Sequence, residues 1–361
     1  MFRKHLLATW VFIIATSYGA GAHAVSSGVP VKFQRIMLDD GLSQSSILSI
    51  HQDSRGFIWM GTQDGFNRYD GRNFVSYKAD PDDPHSVSDP NIWAIAEDAD
   101  GNLWLGTEGG GFNRFNRSAE NFTPYRFDPA QPDAHKHYDV KAVAVGKRGI
   151  VWIGTMGDGL LRFNPESETI IRYVNDPDDP ASLPSNDVYA LHFDARGNLW
   201  IGTGAGLTAM QPATDRMIHF TNDPDDPRSL PAGEVRSLAP GSDLGLWVGT
   251  TGGLCRLDRV TGEFRRHAVH FEGDVPVPLS ITAVLEAPDG IVWAGSEHRG
   301  VYRLDPTTGE VRDFLHDPSD PFSLSDNEVY RIMMDRTGVI WFGTSNGANR
   351  LDSKAKQFHH V

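Results

Sequence analysis

The side chains best suited to catalysis are scattered along the chain, and their spacing builds no recognisable catalytic centre. There are 14 histidines, but none forms an HExxH pattern, and no GxSxG motif occurs. His135 and His137 lie two residues apart in a polar stretch, which is a weak signal. We therefore expect no catalytic residues, no metal and no cofactor. An enzyme with a His and Glu metal site remains an alternative, for which Glu297 and His298 are the best pair.

A different set of residues suits binding. Seven residues occupy equivalent positions in a repeated unit described below, and they vary where the rest of the unit is uniform: Leu48, Trp93, Lys141, Tyr189, Arg236, Thr282 and Tyr330. Varied residues at loop ends are typical of binding sites. We predict that Trp93, Tyr189 and Tyr330 contact a ligand such as a sugar, and that Lys141 and Arg236 pair with an acid group. The alternative is ordinary packing between neighbouring units.

Two further patterns are interpreted as structural. Acidic segments of the type Asp-Pro-x-Asp-Pro join successive units at 80–84, 176–180, 223–227 and 317–321. Clustered carboxylates could bind Ca²⁺, but the EF-hand spacing is absent, and Asp and Pro commonly shape turns. An arginine also recurs once in most units, at Arg68, Arg114, Arg162, Arg256, Arg303 and Arg350. We expect it to pair with a nearby acid or carbonyl group.

The elements that must position these residues come from one repeated phrase, Gly-x-x-Trp-x-Gly-Thr. Its tryptophans are spaced by 45 to 48 residues and account for seven of the nine in the chain: Trp59, Trp104, Trp152, Trp200, Trp247, Trp293 and Trp341. Each unit contains four short strand-like segments, a pattern typical of a propeller blade. We predict an all-β, seven-bladed β-propeller of four-stranded antiparallel blades over residues 25–361, with the indoles packed between blades.

The unit resembles the two-component regulator propeller repeat. The resemblance rests on the tryptophan phrase, on Gly-Phe-Asn-Arg-Tyr-Asp at 65–70 with its variants, and on the Asp-Pro-x-Asp-Pro-x-Ser-Leu linkers. It implies the periplasmic sensor part of a hybrid histidine kinase or of a diguanylate cyclase. Any kinase or cyclase output would then lie outside this chain.

The net charge and the N-terminal residues of the sequence indicate in which cellular compartment the protein acts and which partners it excludes. The formal charge is −14, or −16 without Arg3 and Lys4, so the chain should repel nucleic acid and bare anionic membranes. Cys255 is the single cysteine, which excludes an intramolecular disulfide. Residues 1–24 have a basic start, an apolar run and an Ala-His-Ala end, the layout of a signal peptide cleaved after Ala24. We expect a periplasmic or secreted protein without membrane insertion after cleavage. An uncleaved anchor is the alternative.

Eight segments resemble the outer strand of a blade, although there are only seven tryptophan phrases. Either residues 32–38 or residues 357–361 could therefore complete the last blade. The function expected overall is an extracytoplasmic sensor that binds a small molecule or oligosaccharide, or a signalling protein. A propeller lyase or hydrolase and a protein-interaction platform are the alternatives.

Overall fold

The computed structural model of the protein describes residues 31–126, 139–267 and 279–352. Several sequence predictions fall outside these ranges: the signal peptide at 1–24, the pair His135 and His137, and the closing segment at 357–361. Within the described ranges, no helix is long and apolar enough to cross a membrane. Apart from two single 3-10 turns, Leu38–Asp40 and Lys147–Gly149, the regular structure is β-sheet.

The strands form seven four-stranded antiparallel sheets, which confirms the predicted seven-bladed propeller. The first strands are β2 (Ile47–Gln52), β6 (Ile92–Glu97), β10 (Val140–Val145), β14 (Val188–Phe193), β18 (Val235–Pro240), β22 (Ile281–Glu286) and β26 (Val329–Met334). The second strands are β3 (Ile58–Thr62), β7 (Leu103–Thr107), β11 (Val151–Thr155), β15 (Leu199–Thr203), β19 (Leu246–Thr250), β23 (Val292–Ser296) and β27 (Val339–Thr344).

The outer half of each blade comes from the third and fourth strands. The third strands are β4 (Gly65–Tyr69), β8 (Phe112–Asn116), β12 (Leu160–Asn164), β16 (Gly206–Gln211), β20 (Gly253–Leu257), β24 (Val301–Leu304) and β28 (Gly347–Asp352). The fourth strands are β5 (Phe74–Tyr77), β9 (Asn121–Tyr125), β13 (Thr169–Tyr173), β17 (Arg216–Phe220), β21 (Phe264–His267), β25 (Val311–Phe314) and β1 (Gln34–Ile36). Each first strand contacts the first strands of both neighbouring blades, so these seven strands surround a central channel.

The ring is closed by the first strand of the chain. β1 pairs antiparallel with β28, from Gln34 opposite Arg350 to Ile36 opposite Ala348, and so supplies the fourth strand of the seventh blade. Phe33 is buried beside this strand, with its ring edge-on to Phe342 at 5.5 Å. Of the two segments that the sequence offered for closure, residues 32–38 therefore occupy the slot.

The second glycine of the tryptophan phrase, two residues after the tryptophan, sets the distance between blades. A Cβ built on Gly202 would lie 2.6 Å from the carbonyl oxygen of Val235 in the next blade, and one on Gly61 would lie 2.5 Å from that of Ile92. Real Cβ atoms do not approach a carbonyl oxygen so closely, so only glycine fits here. The contact recurs around the ring, including Gly343 against Ile47 where the seventh blade meets the first.

The repeat tryptophans fill the space that remains between blades. All seven are at most 5% exposed. Trp59, for example, packs with Leu103 and Phe115 of the next blade, and its ring is edge-on to that of Phe115 at 5.3 Å. Large flat side chains of this kind bury much apolar area and gain further stability from edge-to-face contacts.

In most blades the indole is held by its polar edge, usually from the turn before the phrase. In four blades an aspartate accepts a hydrogen bond from Nε1 of the tryptophan six residues later: Asp53–Trp59 at 2.7 Å, Asp98–Trp104 at 2.9 Å, Asp194–Trp200 at 3.2 Å and Asp335–Trp341 at 2.8 Å. The same carboxylates accept backbone N–H groups of their turns, as the other oxygen of Asp335 does from Thr337 and Val339. The third blade has Gly146 in this place, and the fifth uses Glu286 of the following blade instead.

A substitution at the glycine tests the close approach between blades. In Gly202→Ala the new methyl group would meet the Val235 carbonyl oxygen and Cγ1, so the backbone of one blade must shift. We expect a loss of about 1–3 kcal/mol in the free energy of unfolding, measured by urea denaturation. Gly204→Ala is the matched control, because its nearest neighbour, at 3.1 Å, is the end of the Ser185 side chain. Equal stability of the two variants would contradict this role of Gly202.

Candidate ligand-binding site

The seven varied residues share one backbone feature. In every blade the pairing of the first strand with the second skips one residue, as between Ile47 and Ser49 and between Val329 and Arg331. The residue skipped in each blade is one of the seven predicted positions: Leu48, Trp93, Lys141, Tyr189, Arg236, Thr282 and Tyr330. Such a β-bulge leaves its residue out of the ladder and redirects its side chain. The bulges lie at one end of the channel, which we call the channel mouth.

Three of the predicted residues form one cluster at the channel mouth. Lys141 Nζ lies 3.6 Å from the centre of the Trp93 ring, and the Tyr330 ring stands edge-on to Trp93 at 6.4 Å. Trp93 Nε1 donates a hydrogen bond to Glu108 Oε2 at 3.3 Å. The cluster therefore joins the second, third and seventh blades, and all three predicted side chains are half-buried.

The other two predicted residues form a second cluster. The guanidinium of Arg236 lies 5.9 Å from the centre of the Tyr189 ring. Arg236 also forms ion pairs with Glu234 at 2.9 Å and with Glu297 at 3.4 Å. The positive charge of Arg236 is thus already compensated, so this residue is less available to an acidic ligand than the sequence suggested.

Two members of the aligned set do not present a binding group. Leu48 is buried, with 1% of its surface exposed. The single hydroxyl proton of Thr282 is shared between two backbone carbonyl oxygens, that of Gly295 in its own blade and that of Val329 in the next. Leu48 is therefore closed to a ligand, and the hydroxyl of Thr282 is already used between the sixth and seventh blades.

Deeper in the channel, the first strands contribute two further layers. The layer below the bulges consists of six small residues and one arginine: Ser49, Ala94, Ala142, Ala190, Ser237, Ala283 and Arg331. The next layer is aliphatic in every blade: Ile50, Ile95, Val143, Leu191, Leu238, Val284 and Ile332. Together with Lys141, Tyr189, Arg236 and Thr282, these residues line a cavity of about 200 Å³.

Arg331 is the functional candidate that the sequence analysis missed. The signal was present, since Arg331 breaks a column that is otherwise Ser or Ala in every blade. This signal can be interpreted only once the bulge is known. The bulge turns the strand, so that the residue after the varied position also lines the channel. Arg331 donates hydrogen bonds to the backbone oxygens of Tyr330 at 3.2 Å and Trp93 at 3.4 Å, and so touches the first mouth cluster.

Acidic residues surround the channel mouth. Burial, assisted by the charges of Glu108 and Asp139, raises the pKa of Asp89 to about 6, although backbone hydrogen bonding from Asn91 opposes the shift. Burial lowers the pKa of Lys141, which Glu108 and Asp139 counteract. The rim of the mouth is thus acidic, and positive charges lie inside it.

The other residues singled out in the sequence are the Asp-Pro linkers, the recurring arginines and His298, and they lie outside the two clusters at the channel mouth. In the linkers, Asp80 and Asp83 accept backbone N–H groups of Asp82 and His85, and the other Asp-Pro linkers repeat this geometry. The recurring arginines pair across strands with the repeat tryptophans, as Arg68 does with Trp59. His298 is exposed in a short loop. Across the described ranges, no group of three or more His, Cys, Asp or Glu side chains is arranged to hold a metal ion.

The raised pKa of Asp89 gives a prediction about pH. A folded-state pKa of about 6, against an ordinary 3.8, means that ionisation destabilises the fold as pH rises from about 4 to about 6. Asp89→Asn should therefore stabilise the protein above pH 6, by about 1 kcal/mol after allowance for partial exposure, and have little effect near pH 4. Urea denaturation at pH 4.5 and pH 7.5 measures this. Asp82→Asn in the exposed linker is the control, and an equal gain at both pH values would contradict the assignment.

Comparison with known proteins supports the repeat assignment. The model of the family described as "Two component regulator propeller" matches residues 41–64, 86–109, 182–205 and 323–346, in the first, second, fourth and seventh blades. A histidine kinase of Formosa agariphila is 51% identical over 49 residues, which is 14% of this chain and 4% of that protein.

Solved structures show the same fold. The extracellular domain of a putative hybrid two-component system from B. thetaiotaomicron superposes with a TM-score of 0.75 at 24% identity, over 91% of this chain and 43% of that one. A catalytically inactive virginiamycin B lyase from Staphylococcus aureus, solved with quinupristin, superposes with a TM-score of 0.65 at 15% identity, over 89% of this chain and 99% of that one. This chain thus spans less than half of that extracellular domain, a small fraction of the histidine kinase and nearly all of the lyase. Fold similarity alone does not separate sensor from enzyme. In these four blades the chain carries two-component regulator propeller repeats.

Proposed function

We propose that this protein is an extracytoplasmic sensor propeller of a two-component-type signalling system, and that its ligand binds at the channel mouth. The observation that carries the proposal is the set of seven bulges. The backbone there is the same in every blade, yet the side chains differ and include Trp93, Lys141, Tyr189, Arg236 and Tyr330. A position that varies on a uniform scaffold is suited to recognition of an asymmetric molecule.

The four matched repeats support the signalling part of the proposal. The matched relative is a histidine kinase, and a structural neighbour is an extracellular domain of a two-component system. The ligand would bias a signalling partner only if it binds two states of the receptor with different affinity. The mouth clusters suit this requirement, because the cluster of Trp93, Lys141 and Tyr330 joins three blades and would respond to small changes in their spacing.

The clusters also restrict how a ligand can bind. One face of Trp93 is covered by Lys141, and Tyr189 lies against Arg236. A sugar stacking on either ring would displace a cation or use the opposite face. The proposal of an oligosaccharide therefore rests on the hydroxyl and carboxylate groups at the mouth as much as on its aromatic rings.

A thermal-shift screen tests the proposal. The protein would be mixed with a panel of mono- and oligosaccharides and small organic acids, and compounds that raise the melting temperature would be titrated against variants. We expect Trp93→Ala and Tyr330→Ala to weaken binding by about fivefold or more, since each removes an aromatic ring from the cluster at the channel mouth. Val260→Ala, in an outer turn where Val260 is 78% exposed, is the control.

Two results would count against this function. A compound that binds both mouth variants as tightly as the wild-type protein would place the site elsewhere on the propeller. A panel in which nothing stabilises the wild-type protein would favour the interaction platform over the ligand sensor.

A further inference from the structure

Arg331 stands alone in its layer of the channel. The equivalent residues of the other blades are Ser49, Ala94, Ala142, Ala190, Ser237 and Ala283. Side chains this small leave space in the layer, and the long side chain of the seventh blade lies beside that space. The cavity therefore has a single cationic wall at this depth.

The guanidinium of Arg331 has no carboxylate partner among the described residues. Its hydrogen bonds go to two backbone oxygens, and both are long, at 3.2 and 3.4 Å. Burial lowers the pKa of Arg331, and no acidic group offsets the effect. Arg331 is half-buried, and a charge partly removed from water without a charged partner is unfavourable, so native proteins usually compensate it. The other arginine of the cavity, Arg236, follows this rule by pairing with Glu234 and Glu297.

The charged side chains that line the cavity are all basic. Its lining includes Lys141, Arg236 and Arg331 and no aspartate or glutamate, although the whole chain has a net charge of −14. Arg331 and Lys141 are close enough for the charge of Arg331 to lower the pKa of Lys141. Low-dielectric walls concentrate such a field, so an anion that passes the acidic rim is attracted inward.

We propose that the channel contains a subsite for a carboxylate group, in which Arg331 binds the ligand's acid group and Lys141 assists from the mouth. This inference rests on the proposed function and specifies the ligand class as a small organic acid, of which sugar acids are one kind. The cavity of about 200 Å³ suits a ligand of monosaccharide size. The aliphatic layer formed by Ile50, Leu191, Ile332 and their equivalents would contact its apolar surface.

The test uses a pair of probes that differ in the acid group. Sodium galacturonate and galactose would be titrated at constant ionic strength, with acetate and succinate as further carboxylates, and thermal unfolding would be followed. The variants are Arg331→Met, which keeps length and removes charge, and Arg228→Met, which removes a charge from the outer surface where Arg228 pairs with Glu263.

We expect at least one carboxylate, and not galactose, to raise the melting temperature of the wild-type protein and of Arg228→Met. Arg331→Met should bind that carboxylate about tenfold more weakly or worse, because a charge-assisted hydrogen bond is lost. Without ligand, Arg331→Met should unfold at the same temperature as the wild-type protein or higher, since it no longer buries an unpaired charge.

Three outcomes would overturn the inference: no carboxylate stabilises the wild-type protein, a carboxylate binds Arg331→Met equally well, or unliganded Arg331→Met melts several degrees lower. The last would make Arg331 a structural brace between the second and seventh blades. These failures differ from failure of the proposed function. A neutral compound that depends on Trp93 and Tyr330 but not on Arg331 would leave the sensor proposal intact and refute only the carboxylate subsite.

Discussion

The close approach of each second strand to the first strand of the next blade is the contact on which the propeller depends. It is made possible by one glycine per blade, whose missing side chain lets the first residue of the neighbouring first strand lie where a Cβ would be. The spacing that this contact fixes also fixes the gap that the tryptophans fill and the diameter of the channel. Because the same contact occurs seven times, the scaffold is uniform, and differences between blades are confined to places that do not touch it.

This uniformity explains which features could be predicted from the sequence. Seven copies of one phrase define strands, turns and blade number, because each copy is local and repeats the same signals. The residues at the bulges were also predicted as candidates, since aligning the seven repeats shows that this position varies where the others are uniform. Ring closure was left open, because the pairing of β1 with β28 joins segments about 300 residues apart and two segments had suitable sequences.

The parts of the site that could not be predicted depend on contacts between blades. Lys141 lies on Trp93 although the two residues belong to different blades, and Arg236 finds one of its acids, Glu297, one blade further on. Sequence reasoning left open whether these side chains meet a ligand or pack between blades, because it could not show which residues of different blades touch. Arg331 was overlooked for a related reason: its direction depends on a bulge that only the strand pairing defines.

The clasp formed by β1 has a mechanical consequence. Only three residue pairs, Gln34–Arg350 to Ile36–Ala348, join it to β28, whereas every other blade is covalently continuous from its first strand to its fourth. The N-terminal end of β1 and the C-terminal end of β28 belong to the same blade. A force pulling these two strands apart would therefore act on this short ladder first. The seventh blade is therefore the one blade closed by non-covalent contacts alone, namely this ladder and the hydrogen bonds of Arg35 to Asp320, Ser323 and Leu324. It is also the blade that carries Tyr330 and Arg331. Occupation of the channel and the force needed to open the ring would then be coupled within a single sheet.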